Sequence, residues 1–90
     1  MQPLAELYDP PFFEALRDGT RKSTSVVVPL LIDFFRPRNV VDIGCGAGLW
    51  LAAFRECGVT DVLGVDGAWV PAAEREIPEE LFLERDLAQP

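Results

Sequence analysis

Apolar residues recur at helical spacing early in the chain and form short consecutive runs later on. The stretch from residue 23 to 35 has apolar positions three or four residues apart, which predicts a helix with one core-facing side. That side carries Val27, Leu30, Leu31 and Phe34. Pro37 sets the end of this helix, because the residue before a proline disfavours helical geometry. Pro29 lies inside the stretch, so the helix is either kinked there or begins closer to it.

A shorter helix is predicted ahead of this one. Asp9 can accept hydrogen bonds from the first free backbone amides, and Pro10 or Pro11 suits the first turn, where no amide donor is needed. Gly19 is expected to end the helix. The N-terminal region is therefore predicted to contain two helices in succession.

From residue 39 onward the pattern changes to short apolar strands that alternate with helices. The predicted order is strand 39–43, helix 49–57, strand 61–65, helix 71–76 and strand 81–84. A β-α-β-α-β order implies a parallel sheet and therefore the α/β fold class. Strands side by side in the order 3-2-1 satisfy this connectivity.

The predicted sheet needs more cover than the predicted helices provide. Crossovers between parallel strands are right-handed, so both crossover helices fall on the same face of the sheet. The strand centres are nevertheless apolar at consecutive positions, which is typical of strands buried on both faces. These centres are Val40-Val41, Val62-Leu63 and Leu81-Phe82. We therefore expect either the remainder of a larger domain or a second copy of the chain to cover the other face and the free edge of the first strand.

The charge of the chain excludes several functions. The chain has 90 residues and a formal net charge of −7, and ten of its 15 acidic residues but only three of its eight basic residues follow residue 41. A nucleic-acid interface built on phosphate neutralisation is not expected there. The chain has no His, which excludes a His general base and a His-ligated metal within it.

The two cysteines and the hydropathy indicate a cytoplasmic protein. Cys45 and Cys57 are too few to hold a metal alone, and no signal peptide precedes them, so we expect reduced thiols. No apolar run approaches the roughly 20 residues that span a membrane. Neither a metal site nor a membrane partner is expected.

A glycine-rich turn carries the strongest chemical signal. Gly44, Gly46 and Gly48 follow the first strand and lead into a helix. Glycines let the backbone turn sharply and approach a ligand closely, with amide donors at the helix N-terminus. The dinucleotide fingerprint G-x-G-x-x-G requires a third glycine where this chain has Leu49, which disfavours a nicotinamide or flavin dinucleotide. The alternative is a tight turn that binds no ligand.

Asp66 ends the second strand about 20 residues after the glycine turn. The carboxyl ends of adjacent parallel strands share one crevice, so Asp66 should lie beside the turn. A carboxylate there can accept hydrogen bonds from two vicinal ribose hydroxyls, and its charge would repel a 2′-phosphate, which argues against NADP. The alternative is a solvated Asp that closes a strand before Gly67.

Two further acids have two interpretations each. Asp86 follows the third strand and can meet the exocyclic amine of a base, or be satisfied by Arg85 or solvent. Asp42 lies inside the first strand, where an acid is costly unless it is hydrogen-bonded. It can hold the glycine turn through its amides or meet a cationic part of a ligand, and the two roles are compatible.

The remaining candidates are aromatic or sulfur-containing. Trp50 is interpreted as a core residue, whereas Trp69 follows the ribose-binding candidate Asp66 and can either stack on a purine or belong to the core. Cys45 lies within the glycine turn, where a small side chain fits. A nucleophilic role for Cys45 would require a nearby base, and the sequence shows none.

Three segments resemble the first three motifs of class I S-adenosylmethionine-dependent methyltransferases. They read V-V-D-I-G-C-G-A-G (40–48), G-V-D-G (64–67) and F-L-E-R-D-L (82–87). The resemblance covers roughly residues 22–90, and the segments 8–13 and 21–22 are similar to the N-terminal segment of some bacterial members. It implies a Rossmann-like three-layer fold. Residues 1–21 would be an N-terminal segment and residues 22–90 the first half of the cofactor-binding domain.

The resemblance also implies roles for individual residues toward the cofactor S-adenosyl-L-methionine. The glycine turn would line its methionine portion, Asp42 would approach its amino group, and Asp66 would bind both ribose hydroxyls. Asp86 and Leu87 would meet the adenine. The implied cofactor-binding residues are Asp42, Gly44, Cys45, Gly46, Gly48, Asp66, Gly67, Ala68, Trp69, Asp86 and Leu87. The family's fourth strand, the motif after it and the substrate-binding segments have no counterpart in these 90 residues.

Three functions follow from these observations. The first is methyl transfer to a small-molecule acceptor, with this chain supplying the cofactor-binding half and with no catalytic residue identified. The second is a non-catalytic nucleotide-binding module that self-associates through its uncovered sheet face, which predicts a concentration-dependent homodimer. The third is part of an NAD-dependent oxidoreductase, which Leu49 disfavours.

Overall fold

The computed structural model describes residues 10–69 and 71–88. The elements, in chain order, are α1 (Pro10–Phe35), β1 (Asn39–Ile43), α2 (Leu49–Glu56), β2 (Asp61–Asp66) and β3 (Phe82–Glu84). The predicted cap at Asp9 lies outside the described residues, as does the beginning of the N-terminal segment that resembles bacterial methyltransferases.

The strands form one parallel sheet in the order β1-β2-β3. Val40 of β1 pairs with Val62 of β2, and Gly64 of β2 pairs with Phe82 of β3. The predicted α/β class, the parallel pairing and the strand order are confirmed. All three strands end at the same edge of the sheet, where the candidate site residues follow them.

The N-terminal region forms one helix of 26 residues and not the two that were predicted. Gly19 lies within α1, as does Pro29. A glycine costs a helix only about 0.5–1 kcal/mol relative to alanine. Contacts along the buried side of α1, where Thr24 and Val28 are 4% and 0% exposed, offset a cost of that size.

The core-facing side of α1 was predicted only in part, since Leu31 packs against the core as expected. Leu30 and Phe34 are 52% and 82% exposed, whereas Thr24 is buried. The hydroxyl of Thr24 donates a hydrogen bond to the carbonyl oxygen of Arg21 at 3.1 Å. This bond satisfies the hydroxyl, so that Thr24 can be buried at little cost. The buried side of α1 is therefore centred on Thr24 and Val28, with Leu31 and Ile32 partly buried beside them.

The connection between β2 and β3 contains two short 3₁₀ turns, Ala72–Glu74 and Glu79–Leu81, where a helix over 71–76 was predicted. Pro71 and Pro78 precede these turns, and the extended backbone of Arg75, with φ −75° and ψ 133°, ends the first turn after three residues. Ile77 lies between the turns and is 5% exposed, so the connection contributes one core side chain instead of a helical face.

The core lies on one side of the sheet, where α2 packs on β2 and α1 packs on α2. Its buried residues are Val28, Leu51, Phe54, Val59, Val62 and Ile77. On the opposite face, Val41, Ile43 and Leu83 are 58%, 71% and 38% exposed. Within the part of the chain that the structure describes, this face has no cover, as expected. What covers it stays a prediction.

Candidate functional site

The backbone between β1 and α2 forms a turn that only glycines adopt without strain. Gly44, Gly46 and Gly48 have φ values of +81°, +57° and +85°, the region that other residues rarely occupy. The amides of Gly44 and Cys45 both donate to the carbonyl oxygen of Val65, at 2.7 and 3.2 Å. The glycine turn is thereby fixed to β2 from its first residue.

The three glycines of the turn face different surroundings. A Cβ built on Gly48 would lie 3.0 Å from Cγ1 of Ile77, so this glycine also permits close packing against the core. A Cβ built on Gly44 or Gly46 would meet no heavy atom of the described residues within 4 Å. Gly44 and Gly46 therefore form the part of the turn that another molecule can approach.

The carboxylate of Asp66 joins the ends of β1 and β2. Its Oδ2 accepts a hydrogen bond from the amide of Gly46 at 2.7 Å, and its Oδ1 accepts one from the amide of Gly67 at 2.8 Å. The indole Nε1 of Trp69 donates to the same Oδ1 at 3.0 Å. Asp66 is only 6% exposed, so the solvated Asp of the alternative interpretation is wrong. The sequence had allowed Asp42 to hold the glycine turn, and the structure gives this role to Asp66.

An open crevice of about 550 Å³ lies where β2 and β3 end. Six of the predicted residues line it: Asp66, Gly67, Ala68, Trp69, Asp86 and Leu87. Glu84, Arg85 and Ala88 also line it and were not predicted. The amide of Arg85 donates to the carbonyl oxygen of Asp66 at 2.8 Å, which holds the two strand ends together.

Asp86 lies at the exposed side of the crevice. Its Oδ1 accepts a hydrogen bond from the amide of Ala88 at 3.0 Å. An Asp side chain commonly accepts such a bond from the amide two residues later in the chain, which stabilises a turn. The guanidinium of Arg85 instead donates to the carbonyl oxygen of Glu84 at 3.0 Å. The carboxylate of Asp86 keeps acceptor capacity beyond the single bond it makes to the backbone.

Asp42 is separated from this crevice. It lines a different groove, of about 340 Å³, between β1 and α2, together with Trp50. Burial, and secondarily the negative charge of Asp66, raises the pKa of Asp42 above its ordinary value of 3.8. The side chain of Trp50 is half-buried and packs against the core, as predicted.

The thiol of Cys45 is poorly suited to nucleophilic chemistry. Burial raises its pKa to about 11, and the carboxylates of Asp66 and Asp42 add to the rise. The thiolate is the reactive form, so Cys45 is protonated at neutral pH. This finding agrees with the interpretation of Cys45 as a small residue of the turn.

A smaller cavity, of about 200 Å³, lies between α1 and the glycine turn. Leu16 and Thr20 of α1 line one side, and Gly46 and Trp69 line the other. Trp69 therefore contributes to the walls of both the 550 Å³ crevice and this smaller cavity.

Ion pairs fix α1 beside the glycine turn. The guanidinium of Arg17 contacts the carboxylate of Glu74 and lies 3.3 Å from that of Glu76. Arg21 also pairs with Glu76, at 3.2 Å. The amide of Glu76 donates to the carbonyl oxygen of Ala47 at 2.7 Å, which connects this ion-pair cluster to the turn.

Comparison with known proteins identifies the family. A family model described as a methyltransferase domain matches residues 15–89. The chain belongs to the methyltransferase domain family. No significant match was found among curated proteins or among solved structures. The three parallel strands and their helices agree with part of the Rossmann-like methyltransferase fold, so the resemblance drawn from the sequence motifs is confirmed.

Sequence reasoning about this methyltransferase domain missed residues whose important contacts are with residues far away in the sequence. Gly64 was recognised only as the first residue of the G-V-D-G segment, and not as a packing position, although a Cβ there would lie 2.7 Å from Sγ of Cys45. Ile77 and Arg17 also carried no local signal. An isolated glycine inside a strand is the one sequence feature that could have indicated a close approach.

Within residues 10–69 and 71–88, no helix combines the length and apolar character that crossing a bilayer requires.

Proposed function

We propose that this methyltransferase domain binds S-adenosyl-L-methionine across the glycine turn and the 550 Å³ crevice. In this proposal, Asp66 accepts hydrogen bonds from the ribose hydroxyls, and Gly44 and Gly46 approach the methionine portion. Ala68, Trp69, Asp86 and Leu87 border the adenine. The carboxylate of Asp66, which contacts both the turn and the crevice wall, is the observation that carries this proposal.

The chemistry of the proposed reaction requires little from the protein besides binding and orientation. The sulfonium of the cofactor is already a strong electrophile, so methyl transfer mainly requires that an acceptor be held in line with the methyl group and that water be excluded. In this proposal the chain supplies the cofactor-binding half of that arrangement. Cys45, with its raised pKa, is not a base or nucleophile for this reaction. We propose a small-molecule acceptor, since the net charge of −7 does not favour a nucleic acid.

Calorimetric titration of the chain tests this proposal. S-adenosylmethionine and S-adenosylhomocysteine are expected to bind, and NAD is not. The variant Asp66→Asn should weaken S-adenosylhomocysteine binding by about 1–3 kcal/mol, because the ribose hydroxyls lose a charged acceptor. Asp61→Asn is the matched control: Asp61 is exposed at the opposite end of the same strand, and its replacement should leave binding unchanged.

Two results would contradict the proposal. Preferential binding of NAD by the folded chain would support an oxidoreductase instead. Equal affinity of the wild type and Asp66→Asn for S-adenosylhomocysteine would refute the ribose assignment. Thermal unfolding of each variant, followed by circular dichroism, shows whether a loss of binding reflects a loss of structure.

A further inference from the structure

We infer that Trp69 competes with the cofactor ribose for Asp66 and releases this carboxylate when the cofactor binds. The inference rests on the proposed function, since it requires that Asp66 bind the ribose. It adds a residue that controls affinity for the ribose diol. The argument starts from how many hydrogen bonds the carboxylate already accepts.

The carboxylate of Asp66 is nearly saturated. An ionised carboxylate offers about four lone-pair positions, and three donors already use them: the amides of Gly46 and Gly67 and the indole of Trp69. Two vicinal ribose hydroxyls need two positions. One existing donor therefore has to leave before Asp66 can bind both hydroxyls.

The two amide donors cannot leave without a change in the backbone. Gly67 directly follows Asp66 in the chain. Gly46 lies in a turn whose preceding amides, at Gly44 and Cys45, are bonded to β2. Replacing either donor would require the turn or the end of β2 to move.

The indole of Trp69 differs from these amides because it is a side-chain donor, so its release from Asp66 does not require the backbone to move. Two torsion angles set its position, and its ring lies against Gly67, where a Cβ would be 3.3 Å from Cδ1 of Trp69. Trp69 lines both the 550 Å³ crevice and the 200 Å³ cavity. The indole therefore lies next to two open volumes.

This competition has a consequence for affinity. A ligand that needs the carboxylate can bind only after the bond between Trp69 and Asp66 has been broken. The free energy that this step requires lowers the apparent affinity for such a ligand, because only the released form is competent to bind it. The apparent affinity is lowered for ligands that have a ribose diol and is unchanged for ligands that lack the diol. Trp69 thus acts through Asp66 as a positioning residue.

The test compares Trp69→Phe with the wild type. Phenylalanine keeps an aromatic ring but removes the indole donor, so S-adenosylhomocysteine should bind about three- to tenfold more tightly to the variant. Adenosine should show the same gain, whereas 2′,3′-dideoxyadenosine, which lacks both hydroxyls, should show none. The dideoxy compound is the matched control for any general effect of changing the ring.

A spectroscopic measurement reports the release directly. In a Trp50→Phe background, Trp69 is the sole tryptophan of the chain, so its indole N–H gives one nitrogen-correlated proton resonance. S-adenosylhomocysteine at saturation should shift this resonance and speed its exchange with solvent. Unchanged exchange, together with equal affinity of the wild type and Trp69→Phe, would overturn the inference while leaving the proposed function intact. Failure of both proteins to bind S-adenosylhomocysteine would overturn the proposed function and this inference with it.

Discussion

Gly64 lies directly against the thiol of Cys45, so that a Cβ on Gly64 would be 2.7 Å from the Sγ of Cys45. The same Cβ would lie 3.0 Å from Cδ1 of Ile77 and 3.1 Å from Cδ1 of Leu51. The glycine in β2 therefore lets Cys45 of the glycine turn and two core side chains approach the same point of the strand. The position of the turn depends on this close approach.

The first prediction is that Gly64→Ala destabilises the protein by about 1–3 kcal/mol, because the added methyl overpacks a filled site. Denaturant unfolding measures the change. Gly19→Ala is the control, since a Cβ there meets no neighbour and lies in a helix. It should stabilise by about 0.5–1 kcal/mol. In a Cys45→Ala background the cost of Gly64→Ala should shrink, and a cost that stays the same would show that the thiol is not the obstacle.

The second prediction concerns two glycines with similar backbone strain and different positions. Gly46 and Gly58 both have positive φ values, +57° and +98°, and open space where a Cβ would lie. Alanine at either position should cost about 1–2 kcal/mol of stability. Gly46→Ala should also abolish S-adenosylhomocysteine binding in a calorimetric titration, whereas Gly58→Ala should not. Retained binding by Gly46→Ala would contradict the assignment of the turn to the cofactor.

The third prediction is that iodoacetamide modifies Cys57 well before Cys45 at pH 7.5. Cys57 is exposed, whereas the pKa of about 11 at Cys45 leaves on the order of 0.03% of its thiol ionised. Peptide mass spectrometry measures both rates. The rate at Cys45 should increase about tenfold per pH unit while the fold persists. Equal rates at the two cysteines near neutral pH would be inconsistent with the raised pKa.

The fourth prediction is that Asp42→Asn stabilises the protein at pH 7. The folded state raises the pKa of Asp42 above 3.8, so the folded chain binds this proton more tightly than the unfolded chain does. The carboxylate is therefore unfavourable at neutral pH, and the penalty disappears as the pH falls through the raised pKa and below 3.8. Urea midpoints of both proteins from pH 7 to pH 3 should converge at the acidic end. A difference between the two urea midpoints that grows as the pH falls would contradict this prediction.

The fifth prediction is that Arg17→Met destabilises the protein by about 1 kcal/mol, because partly buried ion pairs to Glu74 and Glu76 are lost. Methionine preserves most of the aliphatic packing. Arg21→Met is the control, since the side chain of Arg21 is 56% exposed and its pair should contribute less than about 0.5 kcal/mol. Denaturant unfolding at low and high salt checks both values. If Arg21→Met were less stable than Arg17→Met, the expectation that the more buried ion pairs of Arg17 contribute more to stability would be wrong.

Local sequence patterns predicted the sheet and six of the nine residues that line the 550 Å³ crevice. The strands and the glycine turn could be recognised because their signals lie within a few consecutive residues, and Asp66 because parallel strands end at one edge. Thr24 could not be recognised as a core residue, since its burial depends on a hydrogen bond to Arg21. The helix predicted over 71–76 failed because Ile77 turns into the core, a contact that no local pattern contains.

The ion pair between Arg17 and Glu74 joins residues that are 57 positions apart. At ordinary rates of translation, about 5–20 residues per second, Arg17 is synthesised roughly 3–11 s before Glu74. During this interval α1 can contact α2 but lacks its ion-pair partners Glu74 and Glu76. The ion pairs that hold α1 beside the glycine turn can therefore form only after β1, α2 and β2 have been synthesised.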